Sequence, residues 1–283
     1  MKPRVPRWCR LAPVLALVAA AGTAMADPVA LAPELAGRYQ AGNGVDAVFL
    51  KVHDDWQKST VLWNQAEQQF GSGVAVSTYG WGTGLWGLAD WQTANLNPTP
   101  GMIEGSWAGR VSQIAFGDDM YNTLYGAKWG SVDLAPLFGS GSLASQDNWT
   151  SRFGGYIRIT EAGLYNFSVL HDDGFFFRLR GAGGPALEID NDFLNPRDAL
   201  GFDQNLLLGV GLYSFELGAY DRLEAGVVEL SWARNGGQWT RVPTANLVAF
   251  GDVTPVPEPG TWALLLSGLL AVAPLAARRR RRS

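Results

Sequence analysis

Apolar and polar residues alternate along the second half of the chain. The apolar positions of this alternation are Tyr165/Phe167/Val169, Phe175/Phe177/Leu179, Tyr213/Phe215/Leu217 and Val228/Leu230/Trp232. Each run is bounded by Gly, Asn or Asp, a spacing typical of an antiparallel β-sandwich or barrel. No rhythm of strand, helix, strand is visible, which argues against a parallel sheet. The pattern predicts a mainly β protein with an antiparallel β-sandwich or barrel in the second half of the chain.

The first half of the chain has a different pattern. Asp54 or Asp55 can cap a helix that runs to about Phe70. The residues that fall near one face of this helix are Trp56, Thr60, Trp63 and Phe70. A cluster of Pro, Asn and Gly over residues 95–101 is typical of a linker. Residues 27–100 are therefore predicted to form a smaller α/β or mixed segment before the sandwich.

Aromatic residues and glycines are interleaved over residues 79–87 within this Trp/Gly-rich region. Exposed aromatic rings can stack on sugars, whereas buried ones supply core area. The second role is the commoner one, so we expect these rings to pack inside the protein.

The N-terminus has the three parts of a secretory signal peptide. Its basic residues are Lys2, Arg4, Arg7 and Arg10, and they precede an apolar stretch over residues 11–21. Small residues follow at Ala24 and Ala26, the pattern of a cleavage site. The sequence predicts a signal peptide over residues 1–26 and a mature chain that starts at Asp27.

The C-terminus carries a second targeting signal. It combines three elements: Val256, Pro257, Glu258 and Pro259; an apolar stretch over residues 261–277; and Arg278, Arg279, Arg280, Arg281 and Arg282. About 17 apolar residues are at the lower limit for a transmembrane helix, and the arginines would anchor it on the cytoplasmic side. An ordinary tail anchor explains the helix and the arginines but not the Pro-Glu-Pro.

The whole arrangement resembles the PEP-CTERM sorting signal, with residues 251–255 as a linker before it. The resemblance implies processing by an exosortase in the inner membrane, near Pro-Glu-Pro. The chain is then exported, held transiently in the inner membrane by the C-terminal helix, and delivered to the cell surface, outer envelope or extracellular space. It also implies bacteria that make extracellular polysaccharide, so an exopolysaccharide or biofilm matrix is the expected partner.

Charge and cysteine content narrow the function further. Between Asp27 and Gly260 there are 13 basic against 26 acidic residues, a net charge of −13. Such a charge argues against nucleic acid or anionic membrane surfaces as partners, because both require a positive patch on the protein. The only cysteine is Cys9, so the mature chain has no disulfide and no cysteine metal ligand.

A second resemblance rests on short segments in a fixed order. They are Trp149–Ile157, Ala162–Phe167, His171–Gly174, Leu179–Gly181, Ile189–Asn191, Gly211–Phe215, Glu229–Trp232 and Val242–Leu247. In this order they look like the β-sandwich named after anthrax protective antigen, the PA-fourteen domain, which occurs in bacterial toxins, glycosidases and yeast flocculation adhesins. The resemblance spans roughly Glu104 to Phe250. Its most specific part is the strand Gly163–Leu170 that leads into Asp172-Asp173-Gly174.

Asp172 and Asp173 are the sharpest candidate site. Adjacent carboxylates repel each other unless hydrogen bonds or a cation compensate them, and calcium prefers hard oxygen ligands of this kind. The resemblance to the adhesins implies a cis peptide bond between the two residues and a calcium ion that ligates sugar hydroxyls. The corresponding second loop here offers Asp221 and Glu224, although Arg222 adds a cation and an asparagine ligand is missing. The alternative is that the acidic pair only turns the chain.

The sequence gives only weak evidence for a histidine metal site or for catalytic residues. His53 and His171 are each followed by Asp-Asp, which indicates either a faint repeat or a shared metal site of the hydrolase kind. No Gly-x-Ser-x-Gly elbow is present, and we assign no catalytic residue. We therefore expect a non-enzymatic, carbohydrate-binding surface or matrix protein. The alternatives are a structural matrix protein without a specific ligand and, third, an enzyme that acts on polysaccharide.

Overall fold

The computed structural model describes residues 28–54, 56, 63–64, 69–70, 84–98, 100–118, 132, 134–138, 146–223 and 225–256. The strands in this part of the chain are β1 Ala30–Leu31, β2 Leu35–Ala36, β3 Val45–Val52, β4 Trp63–Asn64, β5 Gln69–Phe70, β6 Ile103–Val111, β7 Ala115–Gly117, β8 Trp149–Ile159, β9 Gly163–Asp172, β10 Gly174–Gly181, β11 Gly184–Asn191, β12 Asp198–Leu208, β13 Gly211–Asp221, β14 Val227–Arg234, β15 Thr240–Arg241 and β16 Leu247–Val248. Among the described residues, α-helices span Leu88–Leu96 (α1) and Ala135–Phe138 (α2), and short 3-10 helices span Thr244–Asn246 and Phe250–Asp252.

The strands form two main sheets. The smaller sheet has the order β1-β12-β9-β14-β15, with β7 also paired to β14. The larger sheet has the order β11-β10-β13-β8-β3-β6, with β16 paired to β8 and β2 to β13. The strand pairs in both sheets are antiparallel except β1 with β12. The prediction of a mainly β, antiparallel sandwich is confirmed.

The core lies between the two sheets, and the alternation in the sequence explains it. Phe167 of the smaller sheet and Phe177 of the larger sheet are both fully buried, with their ring centroids 5.4 Å apart. Successive residues of a strand point to opposite faces, so the apolar member of each alternating pair points inward. Each such side chain contributes about 1.5–3 kcal/mol by leaving water.

The N-terminal region does not stand in front of the sandwich, because β3 lies inside the larger sheet. Phe49 of β3 pairs with Ser151 of β8 on one side and with Trp107 of β6 on the other. Its ring packs edge-on against Phe116, 4.9 Å between centroids. The predicted start of the sandwich at residue 104 is therefore too late. These partners lie at least 50 residues away in sequence, and no local pattern reports such pairing.

The predicted helix over residues 56–70 is wrong where the structure describes it. Trp63 and Phe70 face each other in the small β4–β5 ladder, so these positions are strands. Aromatic residues favour strands, so the apparent helical spacing was accidental. A helix that the structure does describe in this region is α1, which follows Gly87.

Helix α1 covers the outer face of the larger sheet and closes a second, smaller core. We call this the outer core: Leu50, Val52, Trp56, Leu85, Trp91, Ala94, Phe176 and Tyr220. The Trp91 ring packs edge-on against Phe176 at 4.6 Å, and its indole N–H donates to the Ser151 carbonyl at 3.0 Å. Leu85 and Trp86, the described part of the Trp/Gly stretch, are buried, as packing predicts.

Residues 251–255 are not a free linker. The 3-10 helix Phe250–Asp252 precedes a segment that pairs with the N-terminal region, where Pro255 bridges Tyr39. In the described part of the chain, no helix has the length and apolar character needed to cross a membrane. The predicted signal peptide and the predicted helix over residues 261–277 lie outside the described residues.

Candidate cation site

The site lies where the chain crosses from one sheet to the other. β9 of the smaller sheet ends at Asp172 and β10 of the larger sheet begins at Gly174, so Asp173 alone connects them. The Asp172–Asp173 peptide bond is cis, as the resemblance implied. Gly174 is required here, because a Cβ at this position would lie 2.3 Å from the Tyr220 hydroxyl oxygen.

The end of β13 brings the third carboxylate to this crossing. Gly174 pairs with Tyr220, which places Asp221 beside the acidic pair. The Asp173 N–H donates to the Tyr220 carbonyl at 2.9 Å, and the Arg222 N–H donates to Asp173 Oδ2 at 2.9 Å. One oxygen each of Asp172, Asp173 and Asp221 lies within 4.8 Å of the others. The three residues proposed from the sequence therefore meet in space.

Asp221 is the most unusual member of this group. Its side chain is completely buried, and no described residue donates a hydrogen bond to either carboxylate oxygen. Burial, and then the neighbouring charges of Asp173 and Asp118, raise the pKa of Asp221 well above its ordinary value. An ionised carboxylate in this position is costly unless a cation compensates it. Asp221 thus places a buried carboxylate, with no hydrogen-bond donor among the described residues, beside two other acids.

Glycine at position 226 allows this burial. A Cβ there would lie 2.6 Å from Cγ of Asp221 and 2.8 Å from the Trp149 ring. The Gly226 N–H donates to Oδ2 of the buried Asp118 at 2.6 Å. The backbone at Gly226 therefore passes directly against the Asp221 carboxylate. The N–H of Gly226 donates to Asp118 and not to Asp221.

The structure adds acidic residues that the sequence reasoning missed. Asp118 follows β7, and Asp147 precedes β8; the charges of both raise the pKa of Asp221. The carbonyl of Asp147 also accepts from the buried Lys51 ammonium at 2.5 Å. Neither acid belongs to a recognisable motif, so only the long-range strand pairing locates them here. Glu224, the other acid suggested for this loop, lies outside the described residues.

The His171 side chain is hydrogen-bonded to the backbone of Asp173. Its ring is fully buried, with Nδ1 2.9 Å from the Asp173 carbonyl oxygen and Nε2 3.3 Å from the Asn191 side-chain nitrogen. The side-chain nitrogen of Asn191 can only donate, so Nε2 of His171 accepts, and Nδ1 donates its proton to the Asp173 carbonyl oxygen. Burial lowers the pKa of His171, which is consistent with a neutral ring.

A metal site shared by His53 and His171 finds no support in these contacts. The His53 ring lies 3.8 Å from Glu104, and the cluster of metal-capable side chains in the described chain contains three carboxylates and neither histidine.

Arg222 places a buried cation next to the acidic group. Its guanidinium lies over the Trp86 ring at 4.2 Å, and the side chain is almost inaccessible. Burial lowers the pKa of Arg222, while Asp173 and Asp147 oppose that shift. The cation therefore compensates Asp173 more than Asp221.

Comparison with known proteins identifies the C-terminus. Residues 255–282 match the family model of the PEP-CTERM protein-sorting motif, which confirms the resemblance seen in the sequence. The motif at this position implies export and sorting to the cell surface. No curated protein matches this chain.

Solved structures similar to this chain include protective-antigen-type (PA14) domains. The PA14 domain of the antifreeze protein MpAFP is 15% identical, with 76% of this chain and 95% of that chain covered and a TM-score of 0.43. The PA14 sugar-binding domain from an RTX adhesin is 16% identical, with 74% of this chain and 99% of that chain covered and a TM-score of 0.42. The A domain of epithelial adhesin 9 from Candida glabrata, in complex with Galβ1-3GlcNAc, is 13% identical. The match covers 81% of this chain and 98% of that chain, with a TM-score of 0.40.

Proposed function

We propose that this is an exported, exosortase-sorted surface or matrix protein whose sandwich binds carbohydrate through calcium held by Asp172, Asp173 and Asp221. The expected ligand is an extracellular polysaccharide or other glycan, as part of an exopolysaccharide or biofilm matrix. The protein acts by binding and not by catalysis.

Asp221 is the observation that carries the proposal. Both of its carboxylate oxygens are buried, lack donors in the described chain, and face two further carboxylates. Calcium ligands lie 2.3–2.6 Å from the ion, so two oxygens of one shell can be at most about 5 Å apart. The spread of 4.8 Å among the three acids fits within that limit.

The donor set favours calcium over other cations. The three side chains offer only hard oxygen ligands, and the mature chain has no cysteine. The buried His171 already uses both ring nitrogens, so the nitrogen or sulfur ligands that zinc prefers are missing. Magnesium keeps several waters and a strict octahedron, whereas calcium accepts the irregular arrangement of neighbouring carboxylates.

Partial exposure of the site explains how a sugar could join the coordination shell. Asp221 and Asp173 form the buried side, and Asp172 is only half-buried. A cation held here would keep ligand positions toward solvent, which sugar hydroxyls can occupy in place of water. Neutral hydroxyl-rich polymers also avoid repulsion by a chain of net charge −13.

Thermal unfolding of the mature chain, with calcium and with excess chelator, tests the proposal. Calcium at 100-fold over its dissociation constant should stabilise the wild type by about 2.7 kcal/mol. The double variant Asp172→Asn/Asp173→Asn should lose this shift, while Asp46→Asn, at the opposite end of β3 and 58% exposed, should keep it. A shift in the wild type that the double variant retains would place calcium elsewhere. Binding of glycans to an array, with and without calcium, then tests the sugar.

One observation favours the alternative of a structural matrix protein. Asp173 already accepts a backbone hydrogen bond from Arg222, which is the role of an acid that merely turns the chain. Absence of any calcium shift in the wild type would support this alternative and reject the calcium site.

A further inference from the structure

The two ends of the sandwich carry different features. We call the end with Asp172, Asp173 and Asp221 the acidic pole, and the end with Leu31, Gly211 and Val256 the exit pole. Strand β13 runs from one to the other: Gly211 pairs with Ala36, and Asp221 pairs with Trp149. Its 11 residues span about 34 Å, which is the approximate height of the sandwich.

The described chain leaves the fold at the exit pole. The Val256 N–H donates to the Arg38 carbonyl at 2.8 Å, and the Gln40 N–H donates to the Thr254 carbonyl at 3.0 Å. The guanidinium of Arg158, a residue paired with Leu212 near the start of β13, donates to the Tyr39 carbonyl at 2.6 Å. Residues 254–256 are thus held against the end of the sandwich opposite Asp172, Asp173 and Asp221.

Very little chain separates this attachment from the predicted membrane segment. The sorting motif begins at residue 255, inside the paired segment, and the apolar stretch begins at Thr261. Five residues from Val256 to Thr261 reach at most about 18 Å when fully extended. The polar headgroup layer alone takes up about 5–7 Å of that on one side of the bilayer. An anchored sandwich therefore cannot stand far from the lipid.

The exit pole also exposes apolar side chains. Val256 is 41% exposed, Leu207 43% and Val29 51%. The Leu207 N–H donates to the Val29 carbonyl at 2.9 Å, so these two lie together beside the parallel pair β1–β12. The acidic pole, by contrast, would be repelled by anionic headgroups.

We propose that the exit pole lies against the phospholipid surface while the precursor is anchored, with the acidic pole turned away from the membrane. The candidate site then stands about 30 Å above the exit pole and can meet its ligand before processing. This inference rests on the anchoring that we propose for residues 261–277, but not on calcium or sugar binding.

Two positions on one strand provide a matched test. Ala199 and Leu207 are both exposed on β12; Ala199 pairs with Leu170 near the acidic pole, and Leu207 pairs with Leu164 near the exit pole. The precursor without its signal peptide, which still carries the C-terminal segment, has no cysteine. Ala199→Cys and Leu207→Cys therefore each create a unique labelling site. The labelled precursor, including its C-terminal segment, is reconstituted in phosphatidylethanolamine/phosphatidylglycerol vesicles that carry a headgroup quencher, in chelator.

We expect the dye at Leu207 to be quenched several-fold more than the dye at Ala199. Equal quenching, or stronger quenching at Ala199, would overturn the orientation. Matching melting curves for both labelled variants exclude misfolding. Because chelator is present, failure of the calcium proposal would not alter this result.

A longer tether tests the cause of the orientation. Insertion of roughly 20 glycine and serine residues after Val256 would let the sandwich move away from the lipid. Quenching at Leu207 should then fall toward the level at Ala199. Unchanged quenching would overturn the argument that the short connection imposes the orientation.

Discussion

The backbone N–H of Arg222 donates to Oδ2 of Asp173 at 2.9 Å. This bond ties the residue that follows Asp221 to the residue that follows Asp172, so the ends of strands from two different sheets are joined at the site. It also uses one carboxylate oxygen of Asp173, while both oxygens of the neighbouring Asp221 lack a donor in the described chain. The two carboxylates therefore differ in their hydrogen bonds: Asp173 accepts one from a backbone N–H, and Asp221 accepts none from the described residues.

Replacing Asp221 with Asn tests this difference. In chelator at neutral pH the variant should be more stable than the wild type by about 1–3 kcal/mol, because it removes a buried, uncompensated charge. In calcium the order should reverse, since the variant loses a ligand. Chemical denaturation under both conditions measures the two differences. A variant that is less stable in chelator would show that the carboxylate is already compensated by the protein.

The raised pKa of Asp221 predicts a pH dependence. An acid whose pKa is higher in the folded than in the unfolded state binds its proton more tightly when folded. The unfolding free energy in chelator should therefore fall as pH rises above the ordinary Asp value near 4, by at most about 1.4 kcal/mol per pH unit. The slope should be smaller in Asp221→Asn, and saturating calcium should also flatten it. Equal slopes for wild type and variant in chelator would contradict the raised pKa.

Gly226→Ala should disturb the site without changing a ligand. The new Cβ would meet Cγ of Asp221 at 2.6 Å, so the carboxylate or the loop must move. We expect a loss of about 1–3 kcal/mol and weaker calcium binding. The control is Gly183→Ala, because nothing lies within 4 Å of a Cβ at that position. Similar calcium affinities for the two variants would show that contact with Gly226 does not position Asp221.

The fragment 104–250 should not fold alone. It lacks β3, which lies between β8 and β6 and contributes the fully buried Phe49 to the main core. Without that strand, the edges of β8 and β6 are left unpaired and a large core residue is missing. We expect no cooperative thermal transition for this fragment, and a single transition for residues 28–256. A cooperative transition for 104–250 would restore the boundary suggested by the sequence.

Local patterns predicted the parts of this protein that depend on neighbouring residues. The alternation around Phe167 and Phe177 correctly placed strands and their inward faces, because side-chain direction in a strand has a period of two. The acidic pair Asp172–Asp173 at the end of β9 was also visible locally, because the two acids and Gly174 follow the alternating apolar residues directly. The helix predicted over residues 56–70 failed at Trp63 and Phe70, where pairing across a short ladder outweighed helical spacing.

The sequence by itself determined the C-terminal sorting motif, the mainly β composition and the position of Asp172 and Asp173 at a strand end. Each of these is encoded in consecutive or nearly consecutive residues. Only the tertiary structure decided that β3 completes the larger sheet, that Asp221 is buried with no hydrogen-bond donor among the described residues, and that residues 254–256 lie opposite the acidic pole. Those features depend on which distant strands pair, and that choice is made by the total burial and backbone hydrogen bonding of the whole fold.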